Sequence, residues 1–112
     1  MKIKTIQVNE ISRGKVGIAN NFFLRLRGML GREFKEFDAL HITPCGDIHT
    51  LFMAYPIDVL FLNKEQKVVK IAEGLKPWVP FASAKKAYSV VELPSGQAKK
   101  WGINVGDVVS IK

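Results

Sequence analysis

The sequence predicts a single, mainly β (α+β) domain: a small barrel or sandwich of about seven short strands with two short peripheral helices. The 112 residues leave no room for a second domain, so residues 1–112 form one unit. Short apolar runs recur at close spacing and are separated by turn residues, which is typical of barrels and sandwiches. With 47% hydrophobic and 24% charged residues, the chain has the composition of an ordinary globular protein.

The first third of the chain predicts two strands and a helix. Residues 2–8 are amphipathic and β-rich, residues 12–14 have turn chemistry, and residues 15–19 form a second strand. Asn20 or Asn21 can then cap a helix that carries apolar residues at spacings of three and four and ends at Gly31.

The middle of the chain predicts a strand and then a hairpin. Residues 38–43 form a strand that ends at Pro44, in which Leu40 and Ile42 alternate with His41 and Thr43 on the polar side. The segment 45–55 is ambiguous. Residues 57–62 are apolar except for Asp58 and form a strand. A polar turn at residues 63–66 joins this strand to its partner at residues 67–72.

The last third predicts a loop, two strands and a short helix. Residues 73–83 contain Pro77 and Pro80 and form a long loop. Strands follow at residues 88–93 and 108–111. Between them, a helix capped by Ser95 extends through Lys100 and is closed by Gly102, and residues 104–107 form a turn.

The chain is basic, with a formal net charge of +7, and 13 of its 17 basic residues are lysines. A basic β domain raises the possibility of nucleic-acid contact, but lysines at strand ends and turns are the ordinary occupants of a solvated surface. Nucleic acid is therefore disfavoured as a partner. A single cysteine excludes an internal disulfide and a multi-cysteine metal site. No apolar run is long enough for a membrane helix, and the N-terminal residues lack a secretory pattern, so we expect a cytoplasmic protein that does not enter a membrane.

Cys45, His49 and Met53 recur at a spacing of four, and His41 extends the series backwards. These residue types are the ligands of mononuclear copper sites, but Pro44 interrupts the series, and we predict no metal and no cofactor. Cys45 and His49 could instead act as nucleophile and base, with Asp58 or Asp47 orienting the imidazole. The alternative is structural: a packed thiol, a core Met53 and a histidine that binds a carbonyl group.

Two carboxylates lie in apolar strands, where burial is costly unless they are paired or hydrogen-bonded. Arg25, Arg27 or backbone amides could pair with the carboxylates of Asp58 and Glu92. A less favoured interpretation is that the two carboxylates form an acid/base pair. Trp78 lies between two prolines, where it could contact a partner or cover one end of the barrel.

Several motifs together resemble the domain of unknown function 192 family, and the resemblance extends from about residue 15 to the end of the chain. They are Arg25-Leu26-Arg27-Gly28-Met29-Leu30-Gly31, Ile42-Thr43-Pro44-Cys45, Ile48-His49-Thr50 with Met53, Pro56-Ile57-Asp58-Val59-Leu60-Phe61-Leu62, Val91-Glu92-Leu93-Pro94-Ser95-Gly96, and Gly102-Ile103 with Val105-Gly106-Asp107. The resemblance implies a compact β-barrel of jelly-roll-like architecture with peripheral helices. It implies no chemistry, because no activity is established for the family.

The function predicted from these observations is a non-catalytic binding or accessory module for an unknown small molecule or protein, in a monomer or weak homodimer. The alternatives are a small enzyme that uses Cys45 and His49, and a basic nucleic-acid-binding barrel. The candidate binding rim comprises Cys45, His49, Asp58, Arg25, Arg27, Glu92 and Trp78. We further expect Cys45 and His49 to lie near each other at a rim or cleft, with Met53 turned inward.

Overall fold

A computed structural model describes residues 1–21, 29, 34–50 and 53–112. In these residues nine strands are present: β1 (Lys2–Val8), β2 (Ile11–Ala19), β3 (Ala39–Ile42), β4 (Asp47–Ile48), β5 (Ile57–Leu62), β6 (Val68–Leu75), β7 (Ala82–Ser83), β8 (Ser89–Pro94) and β9 (Val109–Ile111). A four-residue helix, α1 (Gln97–Lys100), lies between β8 and β9.

Seven of the strands form one sheet in the order β6-β5-β8-β3-β2-β1-β9, and β4 pairs with β7 in a separate ribbon. Neighbours in the large sheet are antiparallel except β2 and β3, which are parallel. The two ends of the sheet approach each other, because Lys67 and Val108 form a bridge and Val68 N–H donates to Asp107 O over 2.9 Å. The sheet is therefore curled into a half-barrel.

Both faces of the central strands are buried, and each face has its own apolar cluster. Along β5, Ile57, Val59 and Phe61 belong to the second cluster, whereas Leu60 and Leu62 belong to the first. The first cluster is Ile6, Val8, Val16, Ile18, Ala39, Leu60, Leu62, Val68, Val91, Leu93, Ala98, Ile103 and Val109. The second cluster is Ala19, Met29, Phe37, Leu40, Ile42, Ile48, Met53, Ile57, Val59, Phe61 and Val90. Alternation in these strands therefore separates two cores rather than a core from solvent.

The mainly β class is confirmed, and the strands predicted at residues 2–8 and 57–62 have the observed bounds. The polar turn after β5 is also present, since Asn63 Oδ1 accepts hydrogen bonds from the N–H groups of Glu65 and Lys67. The first predicted helix falls on residues that lie mostly outside the described ones, so the described part of the chain bears out only one of the two helices. The jelly-roll detail stays a prediction.

The turn between β1 and β2 was predicted at the wrong place. It lies at Asn9 and Glu10, which both have positive φ, and β2 begins at Ile11. The glycine of the predicted turn, Gly14, lies inside β2, where a side chain would collide with the Asp38 carboxylate. That carboxylate accepts a hydrogen bond from Lys15 N–H over 2.9 Å. Gly14 is thus a packing glycine and not a turn glycine.

The loop after β6 and the cap of α1 also differ from the prediction, and several other strand ends differ by one residue. The loop predicted over residues 73–83 is shorter, because β6 continues to Leu75 and β7 occupies residues 82–83. The cap of α1 is Gly96, whose φ of 89° suits glycine, and no side chain caps this helix, so the assignment of Ser95 was wrong. Gly102 closes the helix as predicted, with a φ of 65°.

Candidate functional site

The segment after β3 and the loop after β6 are held together by Thr50. Its buried hydroxyl donates to Lys76 O over 2.6 Å and accepts from Val79 N–H over 2.8 Å. Two main-chain bonds of 2.8 Å add to these, from Thr50 N–H to Val79 O and from Trp78 N–H to Thr50 O. Thr50 therefore binds the loop through both its side chain and its main chain.

We call residues 45–50 together with residues 76–83 the arm; β4 and β7 are its paired strands. Its loop exposes two large aromatic side chains, Trp78 at 58% and Phe81 at 63% of their surface. Trp78 has a φ of 68°, a conformation that L residues rarely adopt and that the surrounding hydrogen bonds maintain. The arm is thus an ordered segment that presents aromatic surface to solvent.

Cys45 lies at the base of the arm and is half-buried against the second cluster. Its thiol donates to the main-chain O of Asp47 over 2.9 Å, and its N–H donates to Tyr88 O over 2.7 Å. The Cys45 side chain and main chain therefore both take part in hydrogen bonds at the base of the arm. His49, four residues on, is exposed, and Met53 is buried as predicted.

Asp58 is fully buried and bound by three backbone amides. Its Oδ1 accepts from Gly74 N–H over 2.8 Å, and its Oδ2 accepts from the N–H groups of Gly96 and Ala98, each over 3.0 Å. Of the predicted partners, the backbone amides are therefore present. Arg25 and Arg27 lie outside the described residues. The carboxylate joins the end of β6 to the start of α1, on the face opposite Cys45.

Glu92 is buried on the other face of the sheet, at 4% exposure, opposite Leu40 and Val59 in the strand pairing. It accepts a hydrogen bond from the backbone of Met29, and its Oε1 has no partner among the described residues. Burial raises the pKa of Glu92 to about 7, and the Met29 hydrogen bond offsets part of that rise. Because Asp58 and Glu92 point to opposite faces, the acid/base pairing of these two carboxyls is wrong.

His41 was placed on the polar side of an alternating strand, but it is buried towards the first cluster. Its Nε2 has no partner among the described residues, and burial lowers the pKa of His41 to about 4. Cys45 and Met53 adjoin the second cluster, so the fold separates His41 from them. In the described part of the chain, no three His, Cys, Asp or Glu side chains form a group that could hold a metal.

Two surface grooves were not predicted. One, of about 510 Å³, is lined by Asn63, Lys64, Glu65, Lys86, Ala87 and Tyr88. The other, of about 450 Å³, is lined by Ile3, Lys4, Thr5, Lys15, Glu36 and Lys112. Each brings together residues more than twenty positions apart, and no local pattern in the sequence signals either groove.

The sequence matches the family model of DUF192, described as an uncharacterized ACR, over residues 4–111. The chain belongs to the DUF192 family. Among its DUF192 relatives, the UPF0127 protein of Pyrococcus abyssi is 38% identical over 101 residues, which cover 86% of this chain and 85% of that protein. The UPF0127 protein of Pyrococcus furiosus is 33% identical over 100 residues, with coverages of 85% and 84%. The resemblance carried by the sequence motifs is thereby confirmed.

Two solved structures share the DUF192 fold described above. A protein of unknown function from Novosphingobium aromaticivorans superposes with a TM-score of 0.78 at 20% identity, over 96% of this chain and 82% of its own. A putative transcription regulator from Sinorhizobium meliloti superposes with a TM-score of 0.86 at 16% identity, over 98% and 94%. At such identities the likeness shows the fold alone. No helix in the described part of this DUF192 chain is long and apolar enough to span a membrane.

Proposed function

We propose that this protein is a non-catalytic binding module and that the arm is its contact surface. The observation that supports this most is the exposure of Trp78 and Phe81 on a loop that Thr50 holds in place. Aromatic side chains contribute a large share of the binding energy at protein interfaces. A loop that is already ordered loses less conformational entropy on binding, so its affinity is higher than that of a mobile loop.

The geometry of the candidate catalytic residues supports a non-catalytic role. The Cys45 thiol is engaged with Asp47 O, and Asp58 is fully occupied by backbone amides on the far face of the sheet. Asp58 is therefore not placed to orient a histidine base, which supports a structural role for this carboxylate. Three residues of the predicted binding rim lie in the arm: Cys45, His49 and Trp78. Asp58 has a structural role in this proposal.

The proposal also covers the location, the oligomeric state and the partner of the protein. We infer a cytoplasmic monomer or weak homodimer whose partner is a small molecule or another protein. Trp78 and Phe81 are exposed on a single chain, so binding at these residues does not require that a second copy of the chain complete the surface.

Photo-crosslinking at position 81 tests the proposal. Phe81 is replaced by benzoylphenylalanine, and adducts formed in living cells are compared with those from the same replacement at Val105. Both positions are 63% exposed, so Val105 controls for exposure alone. We expect adducts from position 81 that position 105 does not give. Equal yields from the two positions, or no adduct at position 81, would contradict the proposal.

A further inference from the structure

Lysines and exposed aromatic residues are concentrated in one part of the chain, residues 63–88. This segment contains six lysines and only two acidic residues, and all six lysines are exposed. It also contains three exposed aromatic side chains: Trp78, Phe81 and Tyr88, the last at 44%. We call these nine side chains the lysine–aromatic surface; its lysines are Lys64, Lys67, Lys70, Lys76, Lys85 and Lys86.

The fold brings lysines to the aromatic side chains from different elements. Lys64 Nζ, in the turn after β5, lies 5.8 Å from the centre of the Tyr88 ring, within the range of a cation–π contact. Lys86 lines the same groove from the turn before β8. Lys70 Nζ, on β6, donates to Ser83 O over 2.8 Å, two residues beyond Phe81. Lysines therefore lie at the Tyr88 ring in the groove and at the main chain of β7 in the arm.

We propose that the lysine–aromatic surface binds single-stranded nucleic acid without sequence preference. Bases stack on Tyr88, Phe81 and Trp78, and phosphates bind the ammonium groups of Lys64 and Lys86. Proteins that bind single-stranded nucleic acid combine a positive groove along the sugar–phosphate backbone with aromatic rings on which successive bases stack. The proposal rests on the proposed function, because Trp78 and Phe81 belong to the arm, and it assigns the arm a chemical class of partner.

The composition of the surface distinguishes this partner from other anions. Three separate rings supply stacking faces, which an acidic peptide does not need. The cations are all lysines, which contact phosphates as point charges and lack the planar fork with which arginine reads guanine. From the sequence alone, nucleic acid is disfavoured as a partner because the lysines lie on separate turns. In the folded chain two of those turns, at residues 63–65 and 86–88, line one groove.

Fluorescence anisotropy of labelled single strands, with the full chain, tests the proposal. Oligothymidylate and oligouridylate of about 12 nucleotides suit the site size of a small β-barrel. We expect both to bind, and we expect Tyr88→Ala and Trp78→Ala each to weaken binding about tenfold, the scale of one lost stacking contact. Tyr88→Phe keeps the ring and should keep the affinity, which separates stacking from folding.

The salt dependence supplies the matched control. The slope of log K against log salt for single strands changes by about 0.7 for each phosphate contact. The double variant K64Q/K86Q should therefore reduce the slope by about 1.4. The variant K4Q/K15Q removes the same charge from the second groove and should leave the slope unchanged.

Three results would overturn the proposal: equal losses in the two double variants, tighter binding of polyglutamate than of either oligonucleotide, or binding of phosphatidylserine vesicles in place of oligonucleotides. If no oligonucleotide binds at low salt while position 81 still crosslinks to a protein, the nucleic-acid proposal fails and the proposed function stands. If position 81 gives no adduct and no oligonucleotide binds, both fail.

Discussion

A single carboxylate, that of Asp58, joins three parts of the chain that are far apart in sequence. Its two oxygens accept hydrogen bonds from the N–H groups of Gly74, near the end of β6, and of Gly96 and Ala98, at the start of α1. Hydrogen bonds to an ionised acceptor are about twice as strong as neutral ones, and here they offset the cost of burying the charge. The apolar strand around Asp58 was enough to predict burial, and backbone donors were among its predicted partners.

Replacing Asp58 by Asn tests this account. An amide nitrogen cannot accept a hydrogen bond, so either Gly74 N–H or the pair from Gly96 and Ala98 loses its acceptor. We expect the free energy of unfolding to fall by about 3 kcal/mol in a denaturant titration. Asp107→Asn is the matched control, since Asp107 Oδ2 accepts one bond from Asn104 N–H in an exposed turn and its loss should cost about 1 kcal/mol or less. A cost below about 1 kcal/mol for Asp58→Asn would show that the three bonds contribute little.

The elements that the sequence predicts best are those whose pattern is local. The amphipathic residues 2–8 and the apolar run 57–62 form strands with the expected bounds. The turn at Asn9 and Glu10 was missed because positive φ is usually signalled by glycine, and neither residue is one. The pairing of β4 with β7 was missed for a different reason: two-residue strands carry no periodicity, and the bonds from Thr50 to Lys76 and Val79 join segments far apart in sequence.

The order of the arm depends on the Thr50 hydroxyl, and Thr50→Val removes it without changing the shape of the side chain. Two bonds are lost, those to Lys76 O and from Val79 N–H, while the two main-chain bonds remain. We expect hydrogen exchange of the Val79 amide to accelerate about tenfold, the effect of roughly 1.4 kcal/mol of local stability. The exchange of Val91, in β8, should not change.

Thr50→Ser keeps the hydroxyl and serves as the control for this prediction. It should leave the exchange rate of Val79 near that of the wild-type protein. Unchanged exchange in Thr50→Val would mean that the main-chain bonds alone hold the arm. Faster exchange at both Val79 and Val91 would mean that the substitution destabilises the whole domain and not the arm.

Across the whole molecule, the curled sheet buries an ionisable side chain on each of its two faces. His41 faces the first cluster and Glu92 the second, and their positions are neighbouring pairs of β3 and β8. The sequence predicted a costly carboxylate at position 92 but not a buried histidine, because alternation in β3 suggested one solvated face. That inference fails for any strand covered on both sides, and the covering of both faces could not be predicted from local pattern.

The two buried groups should affect stability in opposite directions as the pH changes. The pKa of Glu92 rises from 4.5 to about 7 on folding, so its contribution is full below pH 4.5 and is lost as the pH rises to about 7. The pKa of His41 falls from 6.5 to about 4, so its contribution is full above pH 6.5 and is lost as the pH falls to about 4. Between pH 4.5 and 6.5 the two slopes have equal size and opposite sign, so together they contribute almost no pH dependence.

Urea titrations of single variants at pH 4.5, 5.5 and 6.5 should reveal the pH dependence that each group contributes to the free energy of unfolding. Glu92→Gln leaves the His41 contribution alone, so relative to the wild-type protein its free energy of unfolding should rise by about 2 kcal/mol across this range. His41→Phe leaves the Glu92 contribution alone, and its relative stability should fall by a similar amount. Because each variant is compared with the wild-type protein at the same pH, every other titrating group cancels. Stability curves that stay parallel to the wild-type curve would mean that neither group changes its proton affinity on folding.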